Sequence, residues 1–160
     1  MALKGDRHEL DTDISFFMNE VAERGGVVCL STGGSGAAMD QGQALVTYAA
    51  TSSGKVPMGI LLNDMVNIDL TRQKLNPYKN EVQKGSKVTI LRKGWVVTNR
   101  IQGSAPTIGA PIFPAHSGNL AASNLVSSPD NLPVIGTWLS TPDEDGYAKA
   151  SVNLPAADRK

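Results

Sequence analysis

From Val27 to Leu154 short apolar runs alternate with clusters of Gly, Pro, Ser, Asn and Asp. Runs of that length between such punctuation predict strands, because the turn residues tolerate backbone angles that strand residues avoid. Strands are predicted over residues 27–30, 45–49, 58–62, 66–70, 87–91, 95–98, 134–140 and 147–154. The β-branched runs at 87–91 and 95–98 bracket Lys93-Gly94, which reads as a hairpin turn. Residues 106–114 form a loop with an edge strand at most, since its prolines lack a ladder donor. In 147–154, Ala148, Ala150, Val152 and Leu154 share one face while Tyr147, Lys149, Ser151 and Asn153 share the other. That alternation predicts a half-buried antiparallel strand. Asp143-Glu144-Asp145-Gly146 before it is a turn, with Asp-Gly at its end. Strands are not interleaved with helices, so a sandwich or barrel is expected rather than a parallel α/β sheet.

The first 24 residues break this rhythm. Ile14, Phe17, Met18 and Val21 recur at i, i+3, i+4 and i+7, the spacing of an amphipathic helix. Thr12 or Asp13 would cap such a helix and Gly25-Gly26 would end it. An extended arm that docks Phe16 and Phe17 elsewhere is the alternative. The expected organisation is an N-terminal arm (1–24), a β domain (25–154) and a C-terminal tail (155–160).

A chain of 160 residues suits one domain with a real core. Its 15 basic and 15 acidic residues cancel. Nucleic acid is therefore not an expected partner, because phosphate neutralisation needs a basic excess. No run approaches the ~20 apolar residues of a membrane span, and the first residues carry no apolar signal core, so no membrane and a cytosol-like setting are expected.

Chemistry is thinly provided. Cys29 is the sole cysteine, set in the apolar run Val27-Val28-Cys29-Leu30, and reads as a small core residue. His116 lies beside Ser117 in a Pro-Gly turn, a spacing that cannot by itself define a triad. Gly33-Gly34-Ser35-Gly36 lacks the lysine and spacing of a phosphate cradle. Asp143, Glu144 and Asp145 lack the distal glutamate of a calcium loop. No catalytic residue, metal site or cofactor is expected. Trp95 and Trp138 stand in predicted strands and are expected to anchor the core.

Three segments carry a resemblance: Val56-Pro57-Met58-Gly59-Ile60-Leu61-Leu62-Asn63-Asp64, then residues 87–98 around Lys93-Gly94-Trp95, then residues 143–154. With Gly109, Phe113 and Ser117-Gly118 between them, they resemble head decoration (cement) proteins of tailed bacteriophages. The resemblance implies a compact antiparallel β-barrel or β-tulip-like domain without catalytic residues. It also implies a homotrimer or homodimer on the outer capsid surface, clamping major capsid proteins and assembled in the host cytoplasm. An arm often reaches across the capsid in such proteins. Ile14, Phe16, Phe17, Met18 and Val21 are then the candidate capsid or subunit contacts, because two of the three phenylalanines sit in an otherwise polar stretch. The alternative is that Phe17 and Val21 pack on their own domain. Two other functions stay open: a head fibre base or tail component, and a small hydrolase using Ser117 or Cys29 with His116.

Overall fold

Apolar runs without polar alternation, such as Val27-Val28-Cys29 and Ile60-Leu61-Leu62, suit strands covered on both faces, and the sheet uses them so. The computed structural model describes residues 2–32, 44–64, 80–125 and 132–154. Along the chain run β1 (Leu3–Met18), β2 (Ala22–Glu23), β3 (Val27–Thr32), β4 (Leu45–Thr47), β5 (Pro57–Asp64) and β6 (Glu81–Val82). β7 (Lys87–Thr98), β8 (Pro111–Pro114), β9 (Leu120–Ala121), β10 (Gly136–Trp138) and β11 (Ala148–Asn153) follow, with one 3₁₀ turn at His116–Gly118. The strand predicted over 66–70 lies outside the described residues.

Nine strands form one sheet in the order β1-β4-β3-β5-β7-β11-β10-β8-β9, and β1 also pairs with β7. Strands β1, β4, β3, β5 and β7 thereby close a ring. All its pairings are antiparallel except β1 with β4, where Phe17 and Met18 align with Leu45 and Val46. Inside it pack Phe16, Met18, Val28, Val46, Leu61, Val88 and Ile90, with Ala22 and Val82 of the small β2–β6 sheet. Residues of the opposite parity, Val27, Cys29, Ile60, Leu62 and Leu91, point to the outside of the ring. There β8 to β11 cover them with Ile112, Leu120, Trp138, Ala150 and Val152. Two cores therefore share the strands β3, β5 and β7, which explains their unbroken apolar sequences. The second layer ends where Leu120 bridges to Ile101 and its N–H reaches the Arg100 carbonyl at 2.8 Å.

Two expectations need correction. The helix proposed over residues 11–24 is absent: β1 runs as strand to Met18. Phe16 and Met18 follow a period of two into the ring core, and β7 pairs with Asp11, Thr12, Asp13, Phe16 and Phe17 across two register shifts. Tertiary pairing outweighs the weak helical spacing, because helix stability rests on packing one apolar face. The hairpin at Lys93-Gly94 is also absent, since β7 passes straight through it. Gly94 has φ +140 and pairs with both Glu9 and Val152. A Cβ there would stand 2.1 Å from the His8 carbonyl oxygen. The glycine serves close strand approach, and across it the inward parity switches from Leu91 to Val96.

Candidate binding surface

β1 puts the five candidate contact residues in three kinds of place. Phe16 and Met18 are core side chains, 8% and 0% exposed. Ile14 and Phe17 are half-buried, with Lys87 Nζ 5.3 Å from the centre of the Phe17 ring. Val21, just past the strand, is 54% exposed. Only Ile14, Phe17 and Val21 are thus available to a partner without opening the domain.

The outer margin of β1 is the larger feature. One edge pairs with β7, while on the other only Phe17 and Met18 meet a strand among the described residues. Residues 5–12 along that edge are exposed apart from half-buried Arg7, which pairs with Glu9 at 2.7 Å. Asp6, Glu9 and Asp11 make the edge acidic, and Leu10 stands out from it at 72% exposure. Four register shifts interrupt the β1–β7 ladder. Bulges and charges of this kind restrain indiscriminate strand addition while leaving the edge open to a matched partner.

Next to this edge lies the outward face of β7 and β11. Trp95, expected in the core, is half-buried on this face, in phase with exposed Lys93. His8 stacks on it at 6.4 Å and Lys149 Nζ lies 3.6 Å from its ring centre. Trp138 is the core tryptophan, 0% exposed. Beyond β11, Lys4 bonds Asp143 at 3.2 Å and covers the Tyr147 ring at 4.4 Å. Asp143 builds the turn, accepting from the backbone N–H of Tyr147 and Asp145 at 2.8 and 3.0 Å. The Tyr147 bond, helped by Lys4, holds its carboxyl below the ordinary value.

Of the residues weighed for chemistry, Cys29 and the His116-Ser117 turn are packed into the fold, and Gly33-Gly34-Ser35-Gly36 lies outside the described residues. Burial pushes the Cys29 thiol up to about 11, against a small opposing pull from Lys55, so at neutral pH it stays protonated. The thiolate is the nucleophilic form. His116 is half-buried, its Nδ1 without a hydrogen-bond partner and its backbone N–H donating to Gln102 at 3.0 Å. Ser117 donates its backbone N–H to the Ala49 carbonyl at 2.8 Å. Beside this turn Tyr48 ties three segments together. Its hydroxyl donates to the Glu23 carbonyl and accepts from Gly26 N–H at 3.1 Å, while Arg100 lies over its ring at 4.7 Å. Burial drives the Tyr48 hydroxyl strongly upward, with Arg100 opposing. Among the described residues no group of acidic, histidine or cysteine side chains could hold a metal ion.

Reading the sequence alone missed Trp95, Leu10, Ile108 and Leu139 as surface residues. Trp95 carried a usable signal, since it alternates in step with Lys93.

With this geometry in view, the comparisons are specific. The family described as structural cement protein (E217 gp24/Pam3 gp6) matches residues 8–153. The chain is also similar to a solved structure described as the head fiber gp8.5 N base in bacteriophage phi29. The two share 13% identity with a TM-score of 0.50, covering 93% of this chain and 97% of that one. That likeness is one of fold. No curated protein matches the chain.

Proposed function

This chain belongs to the phage structural cement protein family, and from that premise we propose that it binds the outer surface of the head and clamps neighbouring major capsid proteins. The extent of the family match carries the reading: residues 8–153 take in every strand from the middle of β1 to the end of β11. Residues 1–24 are the docking arm, whose strand Leu3–Met18 joins the sheet of the decoration domain at 25–154. The open edge of β1 supports docking by strand addition, in which a capsid segment pairs with residues 5–12. Ile14, Phe17 and Val21 then add apolar contact beside it. The protein acts as a homodimer or homotrimer, so that moderate contacts at several points add up to firm attachment. Zero net charge argues against nucleic acid as the partner. The protein joins heads assembled in the host cytoplasm.

The test uses heads purified without this protein. Added protein should bind them saturably and raise the temperature at which they release DNA. Unchanged heads at saturating protein would remove the reading. A second reading, the base of a head fibre, is favoured by the likeness to the phi29 head fiber base. Images of decorated heads separate the two: a compact protrusion fits cement, and a long appendage rising from it fits a fibre base.

A further inference from the structure

Of the chain's 15 basic and 15 acidic residues, only Asp130 falls between Arg100 and Asp143. β8, β9 and β10 all come from that stretch. On their outward side Pro111 of β8 lies in register with Thr137 of β10, and both are exposed. Leu139 continues the same face at 42% exposure. Its N–H is held by the Lys149 carbonyl at 2.8 Å, so the charged Lys149 of β11 borders the face.

Ile108 projects beside this face at 71% exposure. It is carried on a tight turn closed by Ala110 N–H to Thr107 O at 3.1 Å, with Gly109 at φ +86 supplying the left-handed position. Gly109 N–H also binds the Trp138 carbonyl at 2.8 Å, which fixes the turn to β10. Two large apolar side chains are thus held outward on braced backbone. No Asp, Glu, Lys or Arg stands among the described residues of the stretch.

Charge complementarity selects the occupant. The centre of a protein interface is depleted in charge, because a buried unpaired ion loses its hydration uncompensated. A partner presenting charge here would find nothing to pair with. A second copy of the same face brings no charged side chain from β8 or β10. Meeting by β1 instead would set Asp6, Glu9 and Asp11 of one copy near those of the other. We propose that the charge-free face of β8 and β10, with Ile108 and Leu139 as its apolar contacts, is the surface through which copies of this chain associate. This names the surface for the self-association proposed above and rests on that part of the reading alone.

The experiment is sedimentation of the full chain over a wide concentration range, for wild type, Ile108→Glu, Leu139→Lys and, as control, Leu10→Glu. Wild type and Leu10→Glu should associate alike, and either face variant should weaken association at least 100-fold at an unchanged melting temperature. An Ile108→Cys variant gives an independent reading, since Cys29 is buried. Its new thiol should be protected from alkylation at associating concentrations and react freely on dilution. A monomeric wild type, or association unaffected by Ile108→Glu, overturns the proposal. Head binding separates it from the capsid reading. If wild type associates through this face yet fails to bind heads, the capsid reading falls and this one stands. If wild type is monomeric and Ile108→Glu loses heads, the face belongs to the capsid and this one falls.

Discussion

Lys149 holds its ammonium 3.6 Å from the centre of the Trp95 ring, across the ladder from β11 to β7. The pair separates the roles of the two tryptophans. Exposed cation–π contacts contribute about 0.5–1 kcal/mol, whereas removing a buried aromatic costs about 3–5 kcal/mol. Trp138→Ala should therefore destabilise the fold by about 3–5 kcal/mol and Trp95→Ala by much less, as read from urea unfolding. Equal losses would put Trp95 in the core and contradict the strand phase described here.

Gly94 is expected to tolerate no side chain. Alanine would meet the His8 carbonyl and adopt an unfavourable φ of +140. Residues forced into sparsely populated backbone regions cost about 1–3 kcal/mol, and the clash adds to that. Gly94→Ala should lower the unfolding midpoint clearly. Gly5→Ala, in an open site on the same ribbon, should not.

Met18 and Val21 should divide stability from docking. Met18→Ala empties a fully buried site in the ring core, at a cost of about 2–5 kcal/mol. Val21→Asp, on the exposed bend before β2, should leave the melt unchanged and weaken binding to heads. Deleting residues 2–18 should abolish the cooperative melt, because Phe16, Met18 and the ladder along β7 leave with it. A truncated chain that melts cooperatively would make the segment a separable arm.

Alkaline pH should loosen the fold in two steps. Burial raises the Cys29 thiol from 9.0 to about 11, so the folded state prefers the protonated form. That contribution is complete below pH 9 and disappears as pH rises toward 11. Tyr48, also raised from 10.0 by burial, follows with the same sign above pH 10. In Cys29→Ala the fall in stability should begin about one pH unit later, and Cys29→Ala with Tyr48→Phe should be flatter still. Unfolding monitored at fixed denaturant between pH 8 and 11 reads both.

What the sequence determined by itself was local. The alternation from Tyr147 to Leu154 puts Ala148, Ala150 and Val152 in the core, as they are found, because a strand's two-residue period reports directly which face is dry. The turn at Asp143 was legible for a similar reason: its carboxylate and Gly146 satisfy the turn within a few residues. Cys29 as a buried thiol followed from its apolar neighbours. Tertiary structure alone decided what depends on a partner distant in the chain. Residues 11–18 carry spacing for a helix and parity for a strand, and β7 settles the choice by offering a ladder to one of them. Lys93-Gly94 has the composition of a turn, yet the approach of His8 uses the glycine to keep β7 running. The unbroken apolar runs of β3 and β5 announce burial on both faces but not by what. Only the closure of the ring by β1, with β8 to β11 wrapped outside, gives each face its core. The exposure of Ile108 has the same origin, since burial depends on what lies opposite a side chain, and nothing within its own turn encodes that.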